Sequence, residues 1–208
     1  MVADSDNSVN LRNQRIKLLV ILGMFALPVL LAWIWHANSD RWRPGGTTNY
    51  GELITPARPL VAFSMPGLDG TLITQEFLRG RWTLVYIGAA DCDQGCRTNL
   101  YNIRQVRLAL NEKFDRVQRL WVLSDGRGSE QLPALLADHP GLKVAKPDTA
   151  ELTRLLAQFG SADTAAPVSG RVYLVDPLGN LMMRYPADAK PKGMLKDLER
   201  LLKTSWVG

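Results

Sequence analysis

Residues 18–35, LLVILGMFALPVLLAWIW, carry no charge. As a helix the run is about 27 Å long, close to the thickness of a bilayer hydrocarbon core. It contains Pro28, which breaks a soluble helix but is tolerated in lipid, and Trp33, Trp35 and Trp42 stand where an aromatic belt would lie. A cleaved signal peptide would have a shorter apolar region, about 7–15 residues, and the exit WHANSD has no small-x-small cleavage site. An uncleaved transmembrane helix over 18–37 is therefore predicted, following a cytoplasmic tail over 1–17. Arg12, Arg15 and Lys17 precede it, against Arg41 and Arg43 after it. The positive-inside bias then puts the rest of the chain outside the cytoplasmic membrane, facing the periplasm.

The rest is ordinary globular sequence. Hydrophobic residues make up 46% of the 208 and charged residues 22%, so a packed core is expected. The net charge of +5 suits an anionic membrane surface but lacks the clustering of a nucleic-acid binder. Residues 38–58, NSDRWRPGGTTNYGELITPAR, have no apolar periodicity and read as a linker, leaving 59–208 as one domain. Within it, 60–63, 83–88 and 119–124 read as strands and 100–114 as a helix, making a β-α-β unit. Helices are expected at 130–139, 149–160 and 194–204, and strands at 171–176 and 180–186. The last two are joined by Asp176-Pro177-Leu178-Gly179, with Pro and Gly at turn positions of a hairpin. This pattern is α/β.

Chemistry points to Cys92 and Cys96, the only cysteines, after a buried-looking strand and before a helix. If both lie on the helix, a four-residue step separates their Cα atoms by roughly 6.2 Å, within disulfide range. A helix N-terminus favours a thiolate at Cys92, which is both a redox nucleophile and a soft-metal ligand. Arg97 would help, whereas Asp91 and Asp93 oppose. An inert disulfide, or packing as small hydrophobes, is the alternative.

The run FSMPGLDGTLITQEFLRGRWTLVYIGAADCDQGC, with the distant YLVDPLGNLMMRYP, resembles the Sco/SenC family over most of residues 60–205. That resemblance implies a thioredoxin-like fold, copper delivery to cytochrome c oxidase, and catalytic or metal-ligating roles for Cys92 and Cys96. It implies copper as cofactor and, as partner beside the membrane, cytochrome c oxidase subunit II or another respiratory-chain protein. The departures are specific. Asp93 and Arg97 stand where the family usually has prolines, SDGRGSEQ lacks its D-P-x-R-D run, and a gap-free alignment puts Val168 at its histidine ligand. Two thiolates still suit Cu(I), while Cu(II) prefers additional ligands that include imidazole. His139 reads as a solvated helix-terminal residue and His36 as an interface residue. Of Met182 and Met183, one is expected in the core; Arg184 and Lys190 read as surface.

Three functions follow: a Sco-like factor passing Cu(I) or keeping copper-site cysteines reduced, a general thiol-disulfide oxidoreductase, and a non-catalytic partner-binding protein. Against the second, thioredoxin-type enzymes have two residues between their cysteines and a cis-proline before the facing strand, which Pro167 does not clearly match.

Overall fold

A computed structural model describes residues 5–38, 49–127, 129–160 and 167–205. Arg41, Trp42 and Arg43, invoked above for orientation and the aromatic belt, lie outside them. The chain divides into two units, Met1–Thr47 and Thr48–Gly208.

In the first, helix α1 (Ser5–Ala37) contains a stretch, Arg15–Ala37, long and apolar enough to cross a membrane by length and composition. From Ile16 to Trp35 its large apolar side chains are at least half exposed, an arrangement that water disfavours and lipid does not.

The second unit is built on a six-stranded sheet. Its strands are β1 (Glu52–Pro59), β4 (Trp82–Gly88), β5 (Val117–Leu123), β6 (Leu142–Ala145), β7 (Arg171–Val175) and β8 (Asn180–Tyr185). A separate hairpin pairs β2 (Ser64–Pro66) with β3 (Leu72–Thr74). The sheet order is β1-β8-β7-β4-β5-β6, parallel across β4, β5 and β6 and antiparallel elsewhere. The four helices are α2 (Gln94–Ala109), α3 (Leu132–Ala137), α4 (Thr149–Phe159) and α5 (Pro191–Thr204).

All seven residues of β4, WTLVYIG, are buried because this central strand is covered on both faces, which removes the alternation of a half-exposed strand. One face carries Leu84, Tyr86 and Trp121 with Leu100 and Ile103 of α2 and Leu198 of α5. The other carries Val85, Ile87 and Leu120 with Leu155 and Phe159 of α4 and Met65 and Ile73 of the hairpin. The turn Asp176–Gly179 closes as expected, with Gly179 at φ 88°.

Three secondary-structure expectations change. Residues 52–58, assigned to the linker, belong to β1, which pairs with β8. An edge strand needs only one row of donors, so Pro56 and Pro59 are tolerated and the alternation is weak. Residues 60–63 are not a strand. Leu60 and Phe63 are buried, but Val61 N donates to Gln158 Oε1 at 2.7 Å and Leu60 N to the Gly179 carbonyl at 3.1 Å. The helix expected at 100–114 runs Gln94–Ala109 instead; Asn111 turns to φ 50° and a 3-10 turn follows.

The chain enters this unit through a clamp. Asp197 of α5, 1% exposed, accepts hydrogen bonds from Tyr50 N, Gly51 N (2.9 Å) and the Tyr185 hydroxyl (3.3 Å). Arg184, read above as surface, is buried on β8 and pairs with Glu52 of β1. Lys190 is exposed as expected, and Met183 is the core methionine of its pair.

Candidate functional site

The buried β4 ends at Gly88, and the chain turns through Ala89–Asp93 before α2 begins. Asp93 is the N-cap of α2, its Oδ1 accepting from Cys96 N at 2.8 Å, and this cap fixes where the helix starts. Cys96 is thus in the first turn, but Cys92 lies outside the helix, one residue before the cap, at φ 30°. A non-glycine residue there is strained, and such strain clusters at functional loops. The condition that both cysteines lie on the helix is not met: their Cα atoms are 5.1 Å apart, against roughly 6.2 Å for a helical step, and the two form a disulfide.

Cys92 and Cys96 are 3% and 4% exposed, yet both line a cavity of about 320 Å³. Tyr86, Asp91, Asp93, Asn99, Ser169, Gly170 and Ala187 complete most of its wall. Burial, and then the charge of Asp93, push the Tyr86 hydroxyl pKa up to about 12. Its ring lies against Gly88, where an added Cβ would come within 2.7 Å of the ring, so β4 must end in glycine. Asn99 Nδ2 donates to the Ala187 carbonyl at 3.1 Å, while its Oδ1 is buried without a partner. Opposite α2, the approach to β7 is held by Gly170 N donating to the Ile87 carbonyl at 2.7 Å and the Tyr173 hydroxyl donating to the Val168 carbonyl at 2.9 Å. Arg97 Nε donates to the Cys92 carbonyl at 3.2 Å, so it braces the loop backbone.

Val168 does not line this cavity. It packs with Leu155, Phe159 and Tyr173 in the core on the other face of the sheet, and the residues of its loop that reach the cysteines are Ser169 and Gly170. The position that the gap-free alignment gives to the family's histidine is therefore not on the cavity wall. Pro167 is exposed and does not line the cavity either. His139 is 6% exposed rather than solvated; burial, then the charges of Arg119 and Arg104, lower its pKa, and it stands away from the cavity wall.

The family described as transmembrane-like, thioredoxin-like, C-terminal domain matches residues 82–205. The chain belongs to that family. No functionally curated protein matches it in sequence. Solved structures sharing this thioredoxin-like fold include apo Sco1 from Thermus thermophilus, at 20% identity and TM-score 0.62, covering 76% of this chain and 99% of that one. ScoI from Bradyrhizobium japonicum with copper bound matches at 21% identity and TM-score 0.56, over 68% and 98%. The thioredoxin domain of a thiol-disulfide oxidoreductase from Bacteroides vulgatus matches at 18% and TM-score 0.53, over 68% and 93%. These likenesses establish the fold.

Sequence reasoning located the cysteines of this thioredoxin-like protein but missed Tyr86, Asn99 and Ser169. Asn99 carried a signal: three residues after Cys96, it is the polar residue in the buried stripe Cys96, Asn99, Leu100, Ile103.

Proposed function

We propose that the chain is a membrane-anchored, Sco-like assembly factor. Its Cys92–Cys96 pair exchanges thiol and disulfide with the cysteines of a respiratory copper site, in cytochrome c oxidase subunit II or another respiratory-chain protein. When reduced, it carries Cu(I) as cargo. The observation that carries this reading is the disulfide at the end of the central strand, with both cysteines lining a cavity. An inert staple needs no cavity.

The donor set limits the copper chemistry. Two thiolates suit Cu(I). Among the described residues no group of three or more His, Cys, Asp and Glu side chains is placed to hold a metal, and no histidine lines the cavity. Cu(II), which favours imidazole, does not fit these residues. In this reading α1 is the anchor, and its basic N-terminal flank supports a domain on the periplasmic side of the inner membrane.

The test is the copper content and thiol reduction potential of the purified chain. Reduced protein is expected to bind one Cu(I), and Cys92→Ser or Cys96→Ser to abolish binding. Unchanged binding in both variants would refute the site. Ser169→His adds an imidazole on the cavity wall and should bring the visible thiolate-to-copper absorption with Cu(II) that wild type lacks; Val168→His should not. Alkaline phosphatase fused to the C-terminus is expected to be active in a bacterial host, and an inactive fusion would reverse the topology.

A further inference from the structure

Resting on the exchange reading above, a second question is which cysteines the cavity accepts. Among the described residues its wall contains two carboxylates, Asp91 and Asp93, and no lysine, arginine or histidine. Both acids are exposed, and neither has an ion pair among the described residues. Arg97 donates to the Cys92 carbonyl, and Arg127 pairs with Asp125 at 3.0 Å while also feeling the charge of Asp91. Deeper in, Asn99 is 2% exposed and its Oδ1 has no donor. A buried amide oxygen without a partner costs free energy that an incoming N–H would recover. The wall thus offers negative charge, an unfilled acceptor and a disulfide. A segment rich in donors and positive charge is attracted there, and an acidic one is repelled.

We infer that this site selects partner segments whose cysteine is flanked by lysine or arginine, with an N–H of the segment donating to Asn99 Oδ1. A partner thiolate attacks one sulfur of the Cys92–Cys96 bond, forming an interchain S–S bond, and the other cysteine leaves as a thiolate that takes a proton from water. The partner's second thiolate then attacks the interchain bond. Two electrons pass to the protein, the partner dithiol becomes a disulfide, and Cys92 and Cys96 end as thiols. In reverse, the reduced protein reduces the partner.

The experiment uses the full chain in detergent, as Cys96→Ser, with two single-cysteine peptides activated as mixed disulfides with thionitrobenzoate. One has lysines on both sides of the cysteine and the other glutamates. Attack by Cys92 on the peptide sulfur releases coloured thionitrobenzoate, and neutral dithiodipyridine serves as the uncharged control. At low salt the lysine peptide is expected to react about tenfold faster, the ratio collapsing at high salt as the charges are screened. Asp91→Asn, an exposed change that spares the helix cap, should cut the ratio about threefold. Asn99→Leu should slow the lysine peptide several-fold more than it slows dithiodipyridine. Equal rates, a faster glutamate peptide, or reaction with dithiodipyridine alone would overturn the selection while leaving the exchange reading standing. Reaction with none of the three would overturn the exchange reading and the selection with it.

Discussion

Asp197 and Asn99 are both helix residues buried to within 2% of complete, and both reach main chain far away in sequence. They are served in opposite ways. Asp197 accepts from two backbone amides and a tyrosine hydroxyl, so its carboxylate is enclosed by donors. Asn99 gives one N–H to Ala187 and keeps an oxygen that nothing meets. A buried polar group with its partners supplied by the fold holds the fold together, whereas one left open on the wall that carries the disulfide is, on the reading proposed above, kept for what arrives from outside. The same contrast separates Glu52, engaged by buried Arg184, from Asp91, which stands on the cavity wall without an ion pair among the described residues.

This division predicts a gradient of effects. Asp197→Ala should be the most damaging, because it strands two amides and a hydroxyl. We expect a loss of about 3 kcal/mol, or roughly 6–12 °C in Tm, by circular dichroism. A drop below about 1 kcal/mol would mean that water replaces the carboxylate and that the clamp is dispensable. Next comes the cap of α2: Asp93→Ala should cost about 1 kcal/mol and Asp93→Ser should restore most of it. No recovery with serine would show that the carboxylate charge, and not the bond to Cys96 N, is what matters.

Glu52→Gln should cost less than about 1 kcal/mol, since Glu52 is itself 59% exposed in its side chain. Its effect depends on pH with a definite sign. The hydrogen bond from Arg184, foremost, lowers the Glu52 pKa below its ordinary 4.5. The stabilisation is therefore present above that value and is lost as pH falls through the lower folded pKa. Melting wild type and Glu52→Gln across the acidic range should bring the two curves together at the acid end; a constant gap would remove the ion pair from the account. The smallest change is expected at Asn99→Leu, within about 0.5 kcal/mol, because filling the position with an apolar side chain also removes an unsatisfied oxygen. A loss like that of Asp197→Ala would make Asn99 another structural group and end the contrast.

The same contrast explains what the sequence disclosed. Strand β4 announced itself by seven apolar or small residues, and the hairpin by Pro177 and Gly179, because burial and turn geometry act on residue type directly. The cysteine pair was evident from its spacing and its place between strand and helix. Strand β1 was hidden: its order comes from pairing with β8 and from Asp197, some 147 residues away, and neither leaves a local pattern. Val168 was misplaced because counting along a strand cannot say how the preceding loop turns; Tyr173 draws the Val168 carbonyl towards the other face and leaves Ser169 at the cavity. His139 and Arg184 were misjudged in the same way, polar residues whose burial depends on elements distant in sequence.

The two rims of the six-stranded sheet carry a last consequence. At one rim, β1 carries Pro56 and Pro59, which lack a donor, and its register with β8 shifts between Leu53 and Arg58. At the other, β6 is shielded by the β2–β3 hairpin, with Leu68 N donating to the Val144 carbonyl and Lys146 N to the Pro66 carbonyl. Neither rim offers a clean row of free amides and carbonyls, so strands of neighbouring molecules have nowhere to add, and such domains are not driven to polymerise at high concentration. The same obstruction closes the common route by which another chain joins a sheet as an extra strand, whereas the loops at the end of the sheet, where the sulfurs lie, stand outside it.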